Sequence, residues 1–208
     1  RVRSAAASDV YKRQNEHTTV RALKKALKKY RLSARVIRRG LRAGFARLER
    51  YREDVRAEGD KILHAARKEG KPIVVLAGRP YHIDPEINHG IGKLLTSLNI
   101  AVLSEDSVFF KGREVLVNVL NQWTYHARLY RAAEYATEHD NVNLVQLVSF
   151  GCGIDAITPD EVRSILESRG KLYTQIKIDE INNLGVVKIR LRSMLAAIEE
   201  QKRHRAKQ

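Results

Sequence analysis

The chain has 208 residues, of which 43% are hydrophobic, so it is long enough to bury a core of its own. Its net charge of +15 invites a nucleic-acid interpretation, but residues 15–71 hold 18 Lys and Arg against 7 Asp and Glu, whereas residues 72–198 hold 13 against 14. No run is apolar enough to span a membrane, and a single cysteine is typical of the reducing cytoplasm, where we expect the protein to act.

The first fourteen residues differ from the rest of the chain. The stretch 7–14 back-translates to GCG TCA GAT GTG TAT AAG AGA CAG, which resembles the end of a transposon-type sequencing adapter. We therefore expect residues 1–14 to be a disordered adapter scar and exclude them from fold reasoning. The one methionine is Met194, so we expect the natural protein to continue upstream.

Residues 15–71 are predicted to form two basic amphipathic helices. Apolar residues recur at three- and four-residue steps over about 18–30 and again over about 34–69. Ser33 is placed to cap the second helix, and Gly70 is typical of its end. The remaining face is rich in arginine. We interpret it as a solvated face, and a phosphate or nucleic-acid surface is the alternative.

From residue 72 to 202, apolar runs alternate with amphipathic segments, and residues 203–208 form a frayed tail. This alternation predicts an α/β domain with a parallel sheet of about four strands, in flavodoxin-like or Rossmann-like order, with flanking helices. We expect strands at 73–77, 100–103, 143–148 and 172–178, and helices at 88–98, 115–138 (in two pieces), 159–168 and 185–202.

The carboxyl ends of parallel strands meet at one edge of the sheet, where such folds bind their ligands. Each predicted strand brings polar side chains to that edge, and the helix before the third strand adds another. The candidates are Arg79, Tyr81 and His82 after the first strand, Glu105 and Asp106 after the second, Cys152 and Asp155 after the third, Asp179 and Glu180 after the fourth, and His126 from the helix.

Arg79 is suited to bind a phosphate or a carboxylate with two parallel hydrogen bonds. The alternative is an ion pair with Glu105, Asp106 or Asp179 that holds loops of the protein together. The sequence alone leaves both interpretations open.

His82 and His89 flank an Asp-Pro-Glu segment, which raises the question of a metal site. Their spacing matches none of the usual metal motifs, so we favour helix capping by Asp84 and loop hydrogen bonds. His126 shares a helical face with Trp123, and such a face more often packs in a core.

Cys152 follows the third predicted strand directly, between Gly151 and Gly153. The glycines allow a tight turn and close approach to a ligand, and we expect Thr158 and Pro159 to begin the next helix as its N-cap and first residue. A thiol at this edge suggests thiolate chemistry or metal binding, and a small buried hydrophobe is the alternative. One cysteine cannot hold a zinc or iron–sulfur site alone.

Four segments carry a family resemblance. Residues 75–90, 122–133, 146–156 and 177–180 resemble the acyl-CoA dehydratase activase-related family, whose members are akin to the iron–sulfur components of 2-hydroxyacyl-CoA (2-hydroxyglutaryl-CoA) dehydratases. The resemblance covers about residues 18–200. It implies an ATP-driven, low-potential electron-transfer system of anaerobic bacteria. In that system an activase hydrolyses ATP and passes an electron to a cluster-bearing partner that dehydrates an acyl-CoA substrate.

The resemblance implies that Cys152 is one thiolate ligand of a [4Fe–4S]-type cluster, in a loop shaped by Gly151 and Gly153. The other cysteines and the ATPase motifs are absent from this sequence. They are therefore expected in the upstream part of the polypeptide or in a partner subunit, together with an ATPase activase module. For Arg79 and the other candidates at the edge, we expect hydrogen bonding around the cluster or substrate.

On this interpretation the chain is a fragment of a lyase or ATP-dependent reductase system and is inactive alone. Two alternatives remain open. The first is a scaffold or interaction domain in which Cys152 is a structural thiol. The second is a basic nucleic-acid-binding module that uses residues 21–68, and the neutral α/β part argues against it.

Overall fold

The computed structural model describes residues 15–115, 117, 121, 123–149, 153–181 and 183–205. The chain divides into two compact units, and the boundary lies between Val55 and Arg56. Within the described residues, no helix is both long enough and apolar enough to cross a membrane.

The first unit is built from the two predicted helices, α1 (Glu16–Ala26) and α2 (Ala34–Lys68), of which α2 continues into the second unit. Asn15 caps α1 by accepting the backbone N–H of His17. We predicted one helix over about 18–30, but α1 ends at Ala26 and a 3-10 turn follows, closed by the left-handed Arg31. The predicted cap of α2 is confirmed, since Ser33 Oγ accepts the backbone N–H of Val36 at 3.3 Å.

The second unit contains a four-stranded sheet in which every pair of neighbours is parallel. The strand order is β2-β1-β3-β4, which is the predicted flavodoxin-like order. All residues of β1 and β3 are buried, which explains why β1 is a continuous apolar run and why β3 is apolar except for Asn143 and Gln146. The strands are β1 (Ile73–Ala77), β2 (Ala101–Ser104), β3 (Val142–Val148) and β4 (Thr174–Lys177).

Helices pack on both faces of the sheet, as the right-handed crossover rule requires. One core cluster joins the sheet to α4 and α5, and the other joins it to α3 and α6. Leu144 points into the first cluster and Leu147 into the second, and burial of each side chain contributes about 1.5–3 kcal/mol. These helices are α3 (Ile91–Ser97), α4 (Thr124–Thr137), α5 (Gly153–Glu167) and α6 (Leu184–Arg205).

Two of the predicted helices begin later than expected. Helix α3 starts at Ile91 instead of residue 88, because the Asn88 side chain accepts the backbone N–H groups of Gly90 and Ile91. Within the region predicted as helical over 115–138, α4 starts at Thr124, after Trp123 with its extended backbone. Residues 116, 118–120 and 122, in the first predicted piece, lie outside the described residues.

A third helix begins earlier than predicted. We expected Thr158 as the N-cap and Pro159 as the first residue, but α5 starts at Gly153 and contains Pro159 within its length. Proline is the usual first residue of a helix because its missing N–H costs nothing there. Here the helix tolerates one missing backbone hydrogen bond, since Thr158 and Pro159 are buried on its packed side.

Candidate functional site

The carboxyl ends of β1 and β3 form the candidate site. These two strands are neighbours in the sheet, and the strand order reverses there, so their ends flank a topological switch point. Residues 78–83 follow β1, whereas Ser149 and then the first turn of α5 follow β3. Open α/β sheets bind their ligands in the crevice at this position.

Gly78 is required at the first position after β1. A Cβ atom there would lie 2.5 Å from Nδ1 of His82 and 3.1 Å from the carbonyl oxygen of Leu147. Any side chain would therefore displace the imidazole or the neighbouring strand. The glycine lets the chain turn into a 3-10 helix, Pro80–Ile83, that folds His82 back under the loop.

His82 connects the β1 loop to the end of β3. Its Nδ1 accepts the backbone N–H of Arg79 at 3.1 Å, so the neutral ring carries its proton on Nε2. That Nε2 lies 3.1 Å from Ser149 Oγ, and the Tyr81 hydroxyl lies 3.2 Å from the same oxygen. Burial lowers the pKa of His82 below its ordinary value; the Asp155 carboxylate raises it and the Arg79 guanidinium lowers it. His82 is therefore a neutral positioning group at pH 7.

Arg79 forms an ion pair with Asp155 in the first turn of α5. Its Nε and Nη2 both donate to Asp155 Oδ1, at 3.0 and 2.8 Å, and Nη1 lies 3.4 Å from the Tyr81 hydroxyl. Our alternative of a pairing with Glu105, Asp106 or Asp179 named the wrong carboxylates. The strand order accounts for Asp179, because β4 is not a neighbour of β1. Glu105 and Asp106 follow the neighbouring strand β2, but they lie beside Arg128 instead.

Two buried polar atoms near this cluster have no hydrogen-bond partner among the described residues: Oδ2 of Asp155 and Nε2 of His126. Burial lowers the pKa of His126, the Asp155 carboxylate raises it and Arg79 lowers it. The charges of the Arg79–Asp155 pair therefore influence the pKa of His126. Its ring also stacks edge-on against Tyr125, with 4.4 Å between ring centroids. A buried polar atom without a partner is uncommon in folded proteins and often marks a functional position.

Glu105 and Asp106 form a separate cluster after β2. Glu105 Oε1 lies 2.5 Å from Nη2 of Arg128, whereas Asp106 Oδ2 lies 3.9 Å from the same nitrogen. Burial raises the pKa of Glu105 to about 7; Arg128 lowers it and Asp106 raises it. Taking the carboxyl group out of water thus outweighs the attraction of Arg128.

The remaining candidates are not joined to either cluster by the described contacts. His89 is exposed and has a left-handed backbone, with φ of 55°. Asp84 accepts the backbone N–H of Glu86 at 2.9 Å and so caps a local turn; the helix that we expected it to cap begins only at Ile91. Asp179 is exposed, and the backbone of Glu180 ends a 3-10 turn after β4.

Cys152 and Gly151 lie outside the described residues, and Gly153 is the first residue of α5. Among the residues that the structure describes, no group of three or more His, Cys, Asp or Glu side chains is arranged to hold a metal ion. The role of Cys152 in metal binding stays a prediction.

Ser149 and Arg128 are the two members of these clusters that sequence reasoning did not single out. Ser149 is the first residue after β3, so its place at the carboxyl edge was a usable signal. Arg128 sits within a helix among other charged residues, and its sequence offers no comparable signal.

The chain is similar to a known family over about half of its length. The model of the CoA enzyme activase uncharacterised domain matches residues 3–108. The matched range contains the loop of Gly78 and His82 and ends before Cys152. No curated protein and no solved structure matches the chain.

Proposed function

Because the chain belongs to the family of the CoA enzyme activase domain, we propose that it is a cluster-binding module of an ATP-driven activase system. The system serves a 2-hydroxyacyl-CoA dehydratase or a related CoA enzyme. The module provides one cysteine to an iron–sulfur cluster that takes part in low-potential electron transfer. ATP hydrolysis belongs to an activase module outside this sequence.

The network at the switch point is the observation that supports this proposal best. Ser149 and Asp155 stand on either side of the Cys152 segment in the sequence, and both are tied to the loop after β1. The two ends of the segment are therefore fixed relative to each other. A thiolate ligand needs such fixed flanks, because the groups around a metal centre orient its ligands.

The cysteine content of this sequence is enough to bind one iron of a cluster and no more. A cubane cluster takes four protein ligands, commonly cysteines, and the sequence has a single cysteine. Neither cluster of described side chains adds a group of metal ligands. The remaining ligands come from the upstream part of the polypeptide or from a partner subunit, and we derive no reaction step through the cluster.

The chain's own residues have the chemistry to prepare this site. Arg79 holds the first turn of α5 against the β1 loop, and neutral His82 holds Ser149 in place. Asp155 Oδ2 and His126 Nε2 remain able to bond to a neighbouring group. These atoms are suited to hold the Cys152 segment or an acyl-CoA-type substrate.

The test is a measurement of iron and acid-labile sulfide in the full-length polypeptide, purified without oxygen. We expect a cluster in the wild type that is lost or strongly reduced in Cys152→Ala, because one thiolate ligand is missing. Ser164→Ala, an exposed change on α5, is the control and should leave the iron content unchanged. Equal iron in wild type and Cys152→Ala, or none in either, would instead favour a scaffold domain with a structural thiol.

A further inference from the structure

A groove of about 750 Å³ lies along the open edge of β4, and we call it the β4 groove. Strand β4 stands at one end of the strand order and pairs with β3, so its other edge faces this groove. Residues of α5 and α6, which pack on opposite faces of the sheet, flank it. Small-molecule sites have volumes of about 300–1,000 Å³, so the β4 groove is large enough to hold a small ligand.

The lining of the β4 groove is positively charged. It includes Arg163, Lys177 and Arg190, and none of the lining residues that the structure describes is acidic. Within the described part of the chain, neither Arg163 nor Arg190 forms an ion pair with a carboxylate. The positive charge of the two guanidinium groups therefore remains available to attract an anion.

Arg190 is held in place by the edge of the sheet. Its Nη1 donates to the backbone carbonyl oxygen of Gln175 at 2.8 Å. This bond leaves Nε and Nη2, the two nitrogens that can donate parallel hydrogen bonds to one phosphate or carboxylate group. The bond also occupies a backbone acceptor on the open edge, which a further strand would need. The geometry therefore favours a small anion over an added strand.

Tyr173 forms a fixed aromatic wall of the β4 groove. Its hydroxyl lies 3.0 Å from Oε1 of the buried Gln146 and 3.2 Å from Oε1 of Gln175, to which it can donate. The Arg163 guanidinium lies over the ring, with 5.0 Å from Cζ to the ring centroid. Burial raises the pKa of Tyr173; Arg163 lowers it and Asp160 raises it. The hydroxyl therefore stays protonated at pH 7, and the stacked guanidinium keeps its charge and its N–H donors.

We propose that the β4 groove binds a small organic anion that has a phosphate or carboxylate group and an apolar body. Arg190 binds the anionic group, and Arg163 adds a second positive charge. The apolar body lies against Tyr173 and Val186, a lining side chain that is 67% exposed. No residue of the network at the switch point lines the β4 groove, so this site does not depend on cluster binding.

The probe is naphthyl phosphate, whose fluorescence polarisation reports its binding to the full chain. We expect saturable binding that weakens by about tenfold or more in Arg190→Gln, because two charge-assisted hydrogen bonds are lost. Arg163→Gln should weaken binding by a smaller factor, since it removes a charge alone. Naphthoate is titrated in parallel, and the tighter of the two probes identifies the anionic group as a phosphate or a carboxylate.

Two further variants separate a lost contact from a damaged fold. Arg192→Gln is the matched control, because Arg192 is an exposed arginine of α6 that does not line the β4 groove. It removes the same charge and should bind like the wild type. Val186→Glu places a negative charge in the β4 groove and should weaken binding. Its glutamate lies in the first turn of α6, where a negative charge favours the helix, so the fold should persist.

Four results would each overturn the proposal. They are no saturable binding of naphthyl phosphate, equal binding of neutral naphthol, equal losses in Arg190→Gln and Arg192→Gln, or unchanged binding in Val186→Glu. Binding of an extended peptide of alternating glutamate and valine, without binding of either naphthyl anion, would assign the edge of β4 to strand addition. That result also contradicts a small-molecule site.

Discussion

Replacing Arg79 with alanine is expected to lower the free energy of unfolding by about 3 kcal/mol, because it leaves the Asp155 carboxylate buried without its partner. The two side chains are 18% and 12% exposed, so the loss should lie at the low end of the range for buried ion pairs. Urea denaturation of wild type and Arg79→Ala at pH 7 measures this difference in unfolding free energy.

The matched control is an exposed ion pair of the same chemistry. Arg52 lies 3.1 Å from Glu49 on α2, and the two side chains are 42% and 51% exposed. Arg52→Ala should cost less than about 0.5 kcal/mol. In a second variant, replacing Arg79 and Asp155 together with alanine should recover part of the loss, since no unpaired charge remains. If Arg79→Ala were as stable as Arg52→Ala, the ion pair would not hold the loops together.

Glu105→Gln is expected to stabilise the protein relative to the wild type at pH 8 and to lose that advantage at pH 5. The pKa of Glu105 is raised to about 7 in the folded state, mainly by burial. The folded protein therefore binds this proton more tightly than the unfolded chain. The resulting stability is complete below the unfolded value of 4.5 and is lost as the pH rises through about 7.

The glutamine variant keeps the uncharged form of the side chain at every pH, so it removes this dependence. Between pH 5 and pH 8, the difference in unfolding free energy between variant and wild type should change by on the order of 2 kcal/mol. His82 and His126 have lowered pKa values and act in the opposite direction, but they are present in both proteins and cancel in the difference. A difference that does not change with pH would show that Glu105 keeps its charge throughout.

The two central strands could be predicted because every residue of β1 and β3 is buried, whereas the edge strands β2 and β4 are only partly buried. A continuous apolar run such as that of β1 has few other interpretations between turn signals. Helix boundaries were less predictable, as α5 illustrates. Thr158 and Pro159 form a strong local start signal, yet tertiary packing extends the helix back to Gly153. That packing cannot be predicted from the local sequence.

The members of the site were more predictable than their pairings. Arg79, Tyr81, His82 and Asp155 were all expected at the carboxyl edge, because each follows a predicted strand. The ion pair joins residues 76 positions apart, so it depends on β1 and β3 being neighbours. The flavodoxin-like order was predicted, but it places β1 beside both β2 and β3, so it could not decide which carboxylate pairs with Arg79.

The most direct test of the central proposal is the electron paramagnetic resonance spectrum of the full-length polypeptide, reduced by dithionite under anaerobic conditions, for wild type and Cys152→Ser. Serine can keep an iron through its oxygen but changes the ligand field at that corner of the cluster. The account predicts a cluster signal in the wild type and an altered signal in the variant. The same spectrum in both proteins, or no cluster signal in the wild type, would contradict Cys152 as a cluster ligand.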